Sequence, residues 1–540
     1  MVLKCEIGTR ERKPLVEEYG LDGLAASGEA VLGGLGPLVA GLGRLAVEAS
    51  RAVTLDAMEG LVWERGLELL CGVVQLGLDG QAEREVRLAQ VTGTDGVPRR
   101  RAERGHARTI VTRVGAVVVR RIGYRSGVRG AGSLFPRDAV LNLPPCGYSW
   151  QVQRLAEMFC RSGSYEQAGE FVRAAAGVSI GKRQLEEIIV AAAADAERFC
   201  QDRPRGEGGP AGTGEPGPER ERGPEQGLPP LAISADGKGV AMLPGARRRR
   251  TKAPEQKVRT FEKRAGTGEK KGHKRMAETG AVFDVAPGPP RTPEQVMRPE
   301  GGTGTKKKPP RAQNRWYACD ITAGRDVTVG KVFAEADRRD PDHARTWIAL
   351  VDGDNHQLGL FQAAAAARGI TLAVLIDFIH VLEYLWKAAW CFHALRDPAM
   401  EDWVIAQGTD ILHGRVTEVI ARIARLAGDH PPEPGSEHAK NIRKTLSYLQ
   451  NKQAFMDYPR ALAQGWPIAT GVIEGACRHL VQDRMGITGA RWGLDGAQAM
   501  LWLRAIAASG DTDAYWNWHI QQEHQRNHQS RYQDNLELAA

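Results

Sequence analysis

Apolar and polar side chains alternate along residues 106–124, HARTIVTRVGAVVVRRIGY, on either side of Gly115. A period of two with a central glycine predicts a β-hairpin. Its strands would carry Arg108, Arg113, Arg120 and Arg121, a pattern that suits a solvated basic face and a DNA-facing one equally well. Upstream, residues 21–105 mix Ala, Leu and Gly, read as mostly helical, and close on a charged stretch, QAEREVRLAQ. Downstream, three runs at helical spacing fill residues 148–200, separated by RSGS and GVSIG. Ser179 stands where it would cap the last run, whose first turn carries Lys182 and Arg183.

The pattern then changes to short apolar runs. LAISAD (231–236), RWYACDITAG (315–324) and DVTVGKVFA (326–334) read as three successive strands. TWIALVD (346–352) and ITLAVLID (370–377) read as buried strands, each leading into a helical run. A meander followed by alternating helix and strand predicts an α/β domain of ribonuclease H-like order over residues 230–510. Helical patterns from about 381 to 460 predict an all-α insertion in that domain. Residues 471–485, GVIEGACRHLVQDRM, return to helical spacing, with Ile473, Ala476, Cys477 and Leu480 as the apolar stripe. Glu474 sits beside the stripe, one turn before Arg478. It reads either as the partner of an i,i+4 ion pair or as an acid delivered to a site.

The predicted organisation is therefore a helical region (1–105), a hairpin region (106–147) and a three-helix region (148–200). A linker rich in Gly, Pro, Glu and Arg (201–229), the α/β domain and a C-terminal tail (511–540) follow. The helix, Gly-containing turn and helix of 148–200 resemble a helix-turn-helix, whose second helix can enter the major groove. Lys182 and Arg183 are candidate DNA contacts on that ground.

Charge sharpens the picture. The 540-residue chain carries a formal net charge of +8. Residues 246–275 alone hold 13 Lys or Arg against three Glu, a net of +10 (13 − 3), inside an irregular block from about 244 to 314. Charge runs are usually solvated loops, but a flexible basic arm is also how proteins grip phosphates without choosing sequence. The eight cysteines form no C-x-x-C pair, the N-terminus lacks the apolar run of a signal peptide, and no run of 18 apolar residues exists. These features lead us to expect a cytoplasmic, nucleoid-associated protein without a membrane partner.

In open α/β sheets chemistry gathers at the carboxyl ends of strands. Three candidate strands end in aspartate: Asp236 in SADG, Asp352 in LVDG and Asp377 in LIDF. Glycine after two of them permits a tight turn. Phosphodiester chemistry uses two divalent ions held by carboxylates, and Mg2+ prefers oxygen ligands. The predicted strand order makes Asp236 and Asp352 neighbours and leaves room for a third acid from a later helix, the role open to Glu474. Asp354 and Asp377 are rivals of Asp352.

The strings IDFIHVLEYLW, GVIEGACRHLVQDRM and ITGARW resemble bacterial insertion-sequence transposases of the ISKra type, within the Mutator-like DDE transposases. The resemblance covers most of residues 100–510. It implies a ribonuclease H-like core with an all-helical insertion before the catalytic glutamate, and a C-or-D-x-x-H motif that Asp377 and His380 fit. On this match Asp236, Asp352 and Glu474 would be the metal-binding catalytic acids and Asp377 with His380 an accessory pair. Two Mg2+ ions are implied, with Mn2+ as a substitute. Arg478, Arg484, Arg491 and Trp492 would contact DNA near the cut, and Tyr384, Trp386 and Trp390 would be core residues. No zinc is expected, because YRSGVRGAGSLFP lacks cysteine. The expected activity is strand cleavage and strand transfer on double-stranded DNA, at element ends and target, by a homodimer or larger multimer. A nuclease or resolvase of the same fold, and a non-catalytic DNA-binding derivative, are the alternatives.

Overall fold

The computed structural model describes residues 29–202, 228–247, 274–298, 309–394, 397–487 and 489–533. They form two compact units, one of residues up to 188 together with those from 517, the other of residues 189–516. The linker expected over 201–229 falls mainly, and the basic arm of 246–275 almost wholly, outside the described residues.

The larger unit is mixed α/β, built on a five-stranded mixed sheet. Its strands are β1 (Leu231–Ala241), β2 (Lys274–Ala286), β3 (Arg311–Asp320), β4 (Trp347–Val351) and β5 (Leu372–Ile376). They lie in the order β3-β2-β1-β4-β5, with β1–β2 and β2–β3 antiparallel and β1–β4 and β4–β5 parallel. The runs LAIS and WIALV are apolar almost throughout because β1 and β4 are central and covered on both faces.

Two expectations for this sheet are corrected. Residues 326–334 are not a strand but part of helix α1 (Arg325–Arg339). Val329, Val332, Phe333 and Ala336 recur at i, i+3, i+4 and i+7, and all four are buried. The missing strand is β2, inside the stretch read as an irregular basic block. Its apolar half, with Ala281, Val282, Phe283 and Val285, is buried, but the lysines and arginines just before it masked the signal.

Helices α2 (Asn355–Ala366) and α3 (Phe378–Phe392) follow β4 and β5. Beyond them come α4 (Pro398–Leu412), α5 (Val416–Asp429), α6 (Glu437–Lys452) and α7 (Tyr458–Ala463). These share one apolar core with the sheet, through residues such as Ile376, Leu385, Ile411, Ile423 and Leu449. Residues 471–485 are one continuous helical stretch: α8 (Gly471–Ala476), a π-helical turn (Cys477–Gln482) and a last short turn, Asp483–Met485. The predicted stripe is buried: Ile473, Ala476, Cys477 and Leu480 are at most 3% exposed.

In the smaller unit, helices Glu29–Ser50 and Leu55–Glu83 precede a hairpin, Arg101–Thr112 paired with Gly115–Arg125. Helix does not continue to residue 105: a short strand pair, Val91–Thr92 with Pro98–Arg99, intervenes. Three of the four named hairpin arginines are engaged within the unit, while Arg113 is exposed. Arg108 donates to the carbonyls of Pro144, Pro145 and Cys146, Arg120 pairs with Asp79 at 2.6 Å, and Arg121 pairs with Asp138. Helices Trp150–Ser162 and Tyr165–Ala176 follow, and Ser164 with Gln167 forms a capping box on the second. Helix Lys182–Ala192 is not capped by Ser179, which is exposed. Gly181 begins it, and its N–H donates to Gln184 Oε1 at 3.1 Å. Of the stretch read as a tail, the residues up to 533 are built into the fold: Tyr532 is buried with Val91, Ile122 and Tyr124, and His528 hydrogen-bonds the Leu143 carbonyl. Among the described residues no helix is long and apolar enough to cross a membrane.

Candidate functional site

The parallel register brings the strand-end aspartates into line. Ser234 of β1 pairs with Leu350 of β4, the last pair of that ladder, so Asp236 and Asp352 each lie two residues past it on neighbouring strands. Val351 pairs with Ile376, so the next step sets Asp352 opposite Asp377. The Asp377 N–H donates to the Val351 carbonyl at 2.8 Å and holds that step closed. Three acids thus stand across three adjacent strands.

Their surroundings differ. Asp236 does not end its strand, since β1 runs on to Ala241, and Gly237 is extended rather than a turn. A Cβ there would lie 2.9 Å from Glu278 Oε2, so a larger residue would displace the end of that side chain. Burial first, then the Asp236 carboxylate hydrogen-bonded to it, push the Cys477 thiol well above its ordinary range. The helical stretch that carries Glu474 therefore lies against Asp236.

Asp352 is half-buried. Gly353 turns the chain at φ +93, and the Tyr448 hydroxyl donates to the Asp352 carbonyl at 3.0 Å. Asp354, the rival second acid, is otherwise employed: it accepts from Gln357 N at the start of α2 and pairs with Arg325 at 2.9 Å. Burial works against the Arg325 charge, but Glu278, Asp354 and Asp352 outweigh it and strengthen its hold on the proton.

Asp377 is fully buried. It accepts from Ile379 N at 2.8 Å, capping α3, and from the Thr470 hydroxyl. Thr470 Oγ1 also lies 3.3 Å from Glu474 Oε1. His380 enters from the first turn of α3, and its buried Nδ1 has no hydrogen-bond partner. Ligand atoms of Asp377, His380 and Glu474 all lie within 4.8 Å of one another. The expected trio of Asp236, Asp352 and Glu474 does not reach that spacing. The pair read as accessory is thus the pair that meets the glutamate.

This donor set fits a divalent cation. A buried carboxylate is costly unless paired, and the contacts of Asp377 are a main-chain N–H and a hydroxyl. Two carboxylates and an imidazole favour a metal of borderline softness over Mg2+, whereas Asp236 and Asp352 offer oxygen alone.

The ion-pair reading of Glu474 fails, because the acid beside Arg478 is Asp483, at 3.9 Å. Of the proposed DNA contacts, Arg478 and Arg491 in this unit are exposed, as are Lys182 and Arg183 in the smaller one, where Arg183 pairs with Glu187. Arg484 and Trp492 are not available. Both are buried, the guanidinium lies 4.8 Å from the indole centroid, and Trp492 N donates to the Ala241 carbonyl at 3.0 Å. A β-bridge to Met242 made Trp492 structural, although nothing in its local sequence distinguishes it from a surface contact. Trp390, expected in the core, is 52% exposed, while Tyr384 stacks on Tyr448 at 3.9 Å. Thr470 and Tyr448 were missed. Thr470 could have been found one helical turn before Glu474, but nothing marks Tyr448 locally.

Neither the family models nor the curated proteins compared with this chain match it.

Proposed function

We propose that this protein is a DNA transposase that cuts and joins strands by metal-assisted phosphoryl transfer on a ribonuclease H-like core. The observation that carries this reading is the register that aligns Asp236, Asp352 and Asp377 across adjacent parallel strands. The β3-β2-β1-β4-β5 order, antiparallel on one side of β1 and parallel on the other, supports the fold. The helices between α3 and α8 match the insertion that the resemblance implies before the glutamate.

When bound, divalent ions supply the charge that activates the attacking oxygen and steadies the leaving one. Asp236 within β1 and Asp352 just past β4 would supply the oxygen ligands for such ions, and Glu474 would close the site from α8. Asp377, fixed by Ile379 N and Thr470, anchors His380 and Glu474 beside them. Exposed Arg478 and Arg491 contact phosphates flanking the cut, which position DNA without reading its sequence.

The test is strand cleavage by Asp236→Asn on duplex made from the DNA that flanks the gene on both sides, with Mg2+ and with Mn2+. Cleavage should be lost and DNA binding kept. Wild-type cleavage by the variant, or wild-type protein that binds no such duplex, would overturn the reading.

A further inference from the structure

Several buried acids of the larger unit are neutralised by cations. Asp284 meets Arg345 at 2.6 Å, and Asp320 meets Lys331 at 3.0 Å. Asp377 is fully buried and is not neutralised: it accepts from the Ile379 N–H and the Thr470 hydroxyl. Glu474 brings a second carboxylate within 4.8 Å of it. Among the described residues neither carboxylate has an ion-pair partner. Two like charges this close, one of them cut off from water, call for a positive charge between them.

His380 completes the trio. An imidazolium there would leave a buried donor with nothing to accept it, because Nδ1 is buried without a hydrogen-bond partner. A metal ion takes a lone pair from the ring instead and sets two positive charges against the two carboxylates. Imidazole with two carboxylates suits Zn2+ and its neighbours, and three protein ligands leave a fourth position for water. Mg2+ keeps to oxygen. Zinc bonds of about 2 Å in a tetrahedron set ligand atoms about 3.3 Å apart, so the trio must draw in. Asp377 and His380 are fixed by the start of α3, which Asp377 caps. Glu474 is exposed and held by Thr470 at 3.3 Å, so it is the ligand free to move.

We propose that Asp377, His380 and Glu474 bind a zinc-class cation of their own, distinct from the Mg2+ expected at Asp236 and Asp352. The site uses no cysteine and so is independent of the cysteine stretch that the sequence lacks. Binding needs neither DNA nor those two aspartates. One consequence rests on the transposase reading above: zinc held here competes with Asp236 and Asp352 for Glu474 and inhibits cleavage.

Zinc titration of the full chain without DNA, against a chromophoric chelator, tests the site. The wild type should hold zinc against a large excess of Mg2+. Co2+ in its place should show no thiolate charge-transfer band. His380→Gln and Glu474→Gln should each weaken binding by about tenfold or more, while Asp236→Asn leaves it unchanged. Zinc should raise the melting temperature of the wild type and not that of His380→Gln. Should His380→Gln fail to fold, Glu474→Gln decides, since that side chain is exposed. A wild type that binds zinc no more tightly than these variants overturns the proposal. So does loss of binding in Asp236→Asn, which would move the ion to the strand-end acids. Zinc added to Mg2+-driven cleavage should inhibit the wild type as the site fills, and undiminished cleavage at saturation overturns the competition. A chain that binds zinc here yet cuts no duplex in Mg2+ alone would count against the transposase reading and not against the site.

Discussion

Tyr448 donates its hydroxyl to the carbonyl of Asp352 at 3.0 Å, tying α6 to the end of β4. Burial, then Tyr384, Asp352 and Asp377, push the Tyr448 phenol up, so it stays a donor at neutral pH. Gly353 belongs to the same contact, since its Cβ would lie 3.1 Å from that hydroxyl. Tyr448→Phe should cost about 1 kcal/mol in unfolding free energy. Gly353→Ala should cost more, about 1–3 kcal/mol, from the positive φ. Denaturant melts of both variants check the order.

Asp352 and Asp354 separate by their tasks. Asp354 caps α2, and asparagine caps as well as aspartate. Asp354→Asn should leave single-turnover cleavage within several-fold of wild type, the loss coming from the Arg325 pair. Asp352→Asn should reduce it by orders of magnitude. The reverse result would move the second ligand to Asp354.

Glu474 is exposed, and its hydrogen-bonding contact is Thr470. Glu474→Gln should therefore change stability by no more than a few tenths of a kcal/mol without metal. Cleavage should fall by several orders of magnitude, because a charge that offsets divalent ions is gone. Strand cleavage and thermal unfolding, each with and without Mg2+ or Mn2+, report both effects. Near-wild-type cleavage would return Glu474 to the helix surface.

Glu335 gives the larger unit an acid sensitivity remote from these acids. Burial pushes its carboxyl up, but Arg338 and Arg339 more than offset this and hold it below the ordinary range. An acid depressed in the folded state contributes stability above its unfolded pKa and loses it as pH falls through the folded one. Glu335→Gln should thus cost about 3 kcal/mol near neutrality, where it removes the buried charge that Arg338 and Arg339 share. The gap to wild type should close below about pH 4, which an unfolding series across pH will show.

Trp492 and Arg491 are neighbours with opposite roles. Trp492→Ala should destabilise the fold by about 3–5 kcal/mol. Arg491→Ala should leave the melting curve unchanged and lower the salt slope of DNA binding by about one. Thermal unfolding and a salt titration separate them.

The sequence by itself determined those elements whose period is unambiguous. The hairpin around Gly115, the strands of LAIS, WIALV and LAVLI, and the stripe of residues 471–485 follow from side-chain spacing. Local spacing failed where a competing signal was louder. Residues 326–334 are rich in β-branched valine and threonine, yet their apolar residues recur at 3 and 4 and form α1. Dense positive charge hid β2. Tertiary structure alone decided which acids meet. Asp236, Asp352 and Asp377 look equivalent as strand-end aspartates. Only the parallel register aligns them, and only the return of residues 470–474 to α3 gathers Asp377, His380 and Glu474. It also decided that Arg484 and Trp492 are buried while Arg478 and Arg491 are not. Register and burial are set by contacts between separate segments, from 25 residues apart for Val351 and Ile376 (376 − 351) to 251 for Ala241 and Trp492 (492 − 241), and no local pattern encodes them.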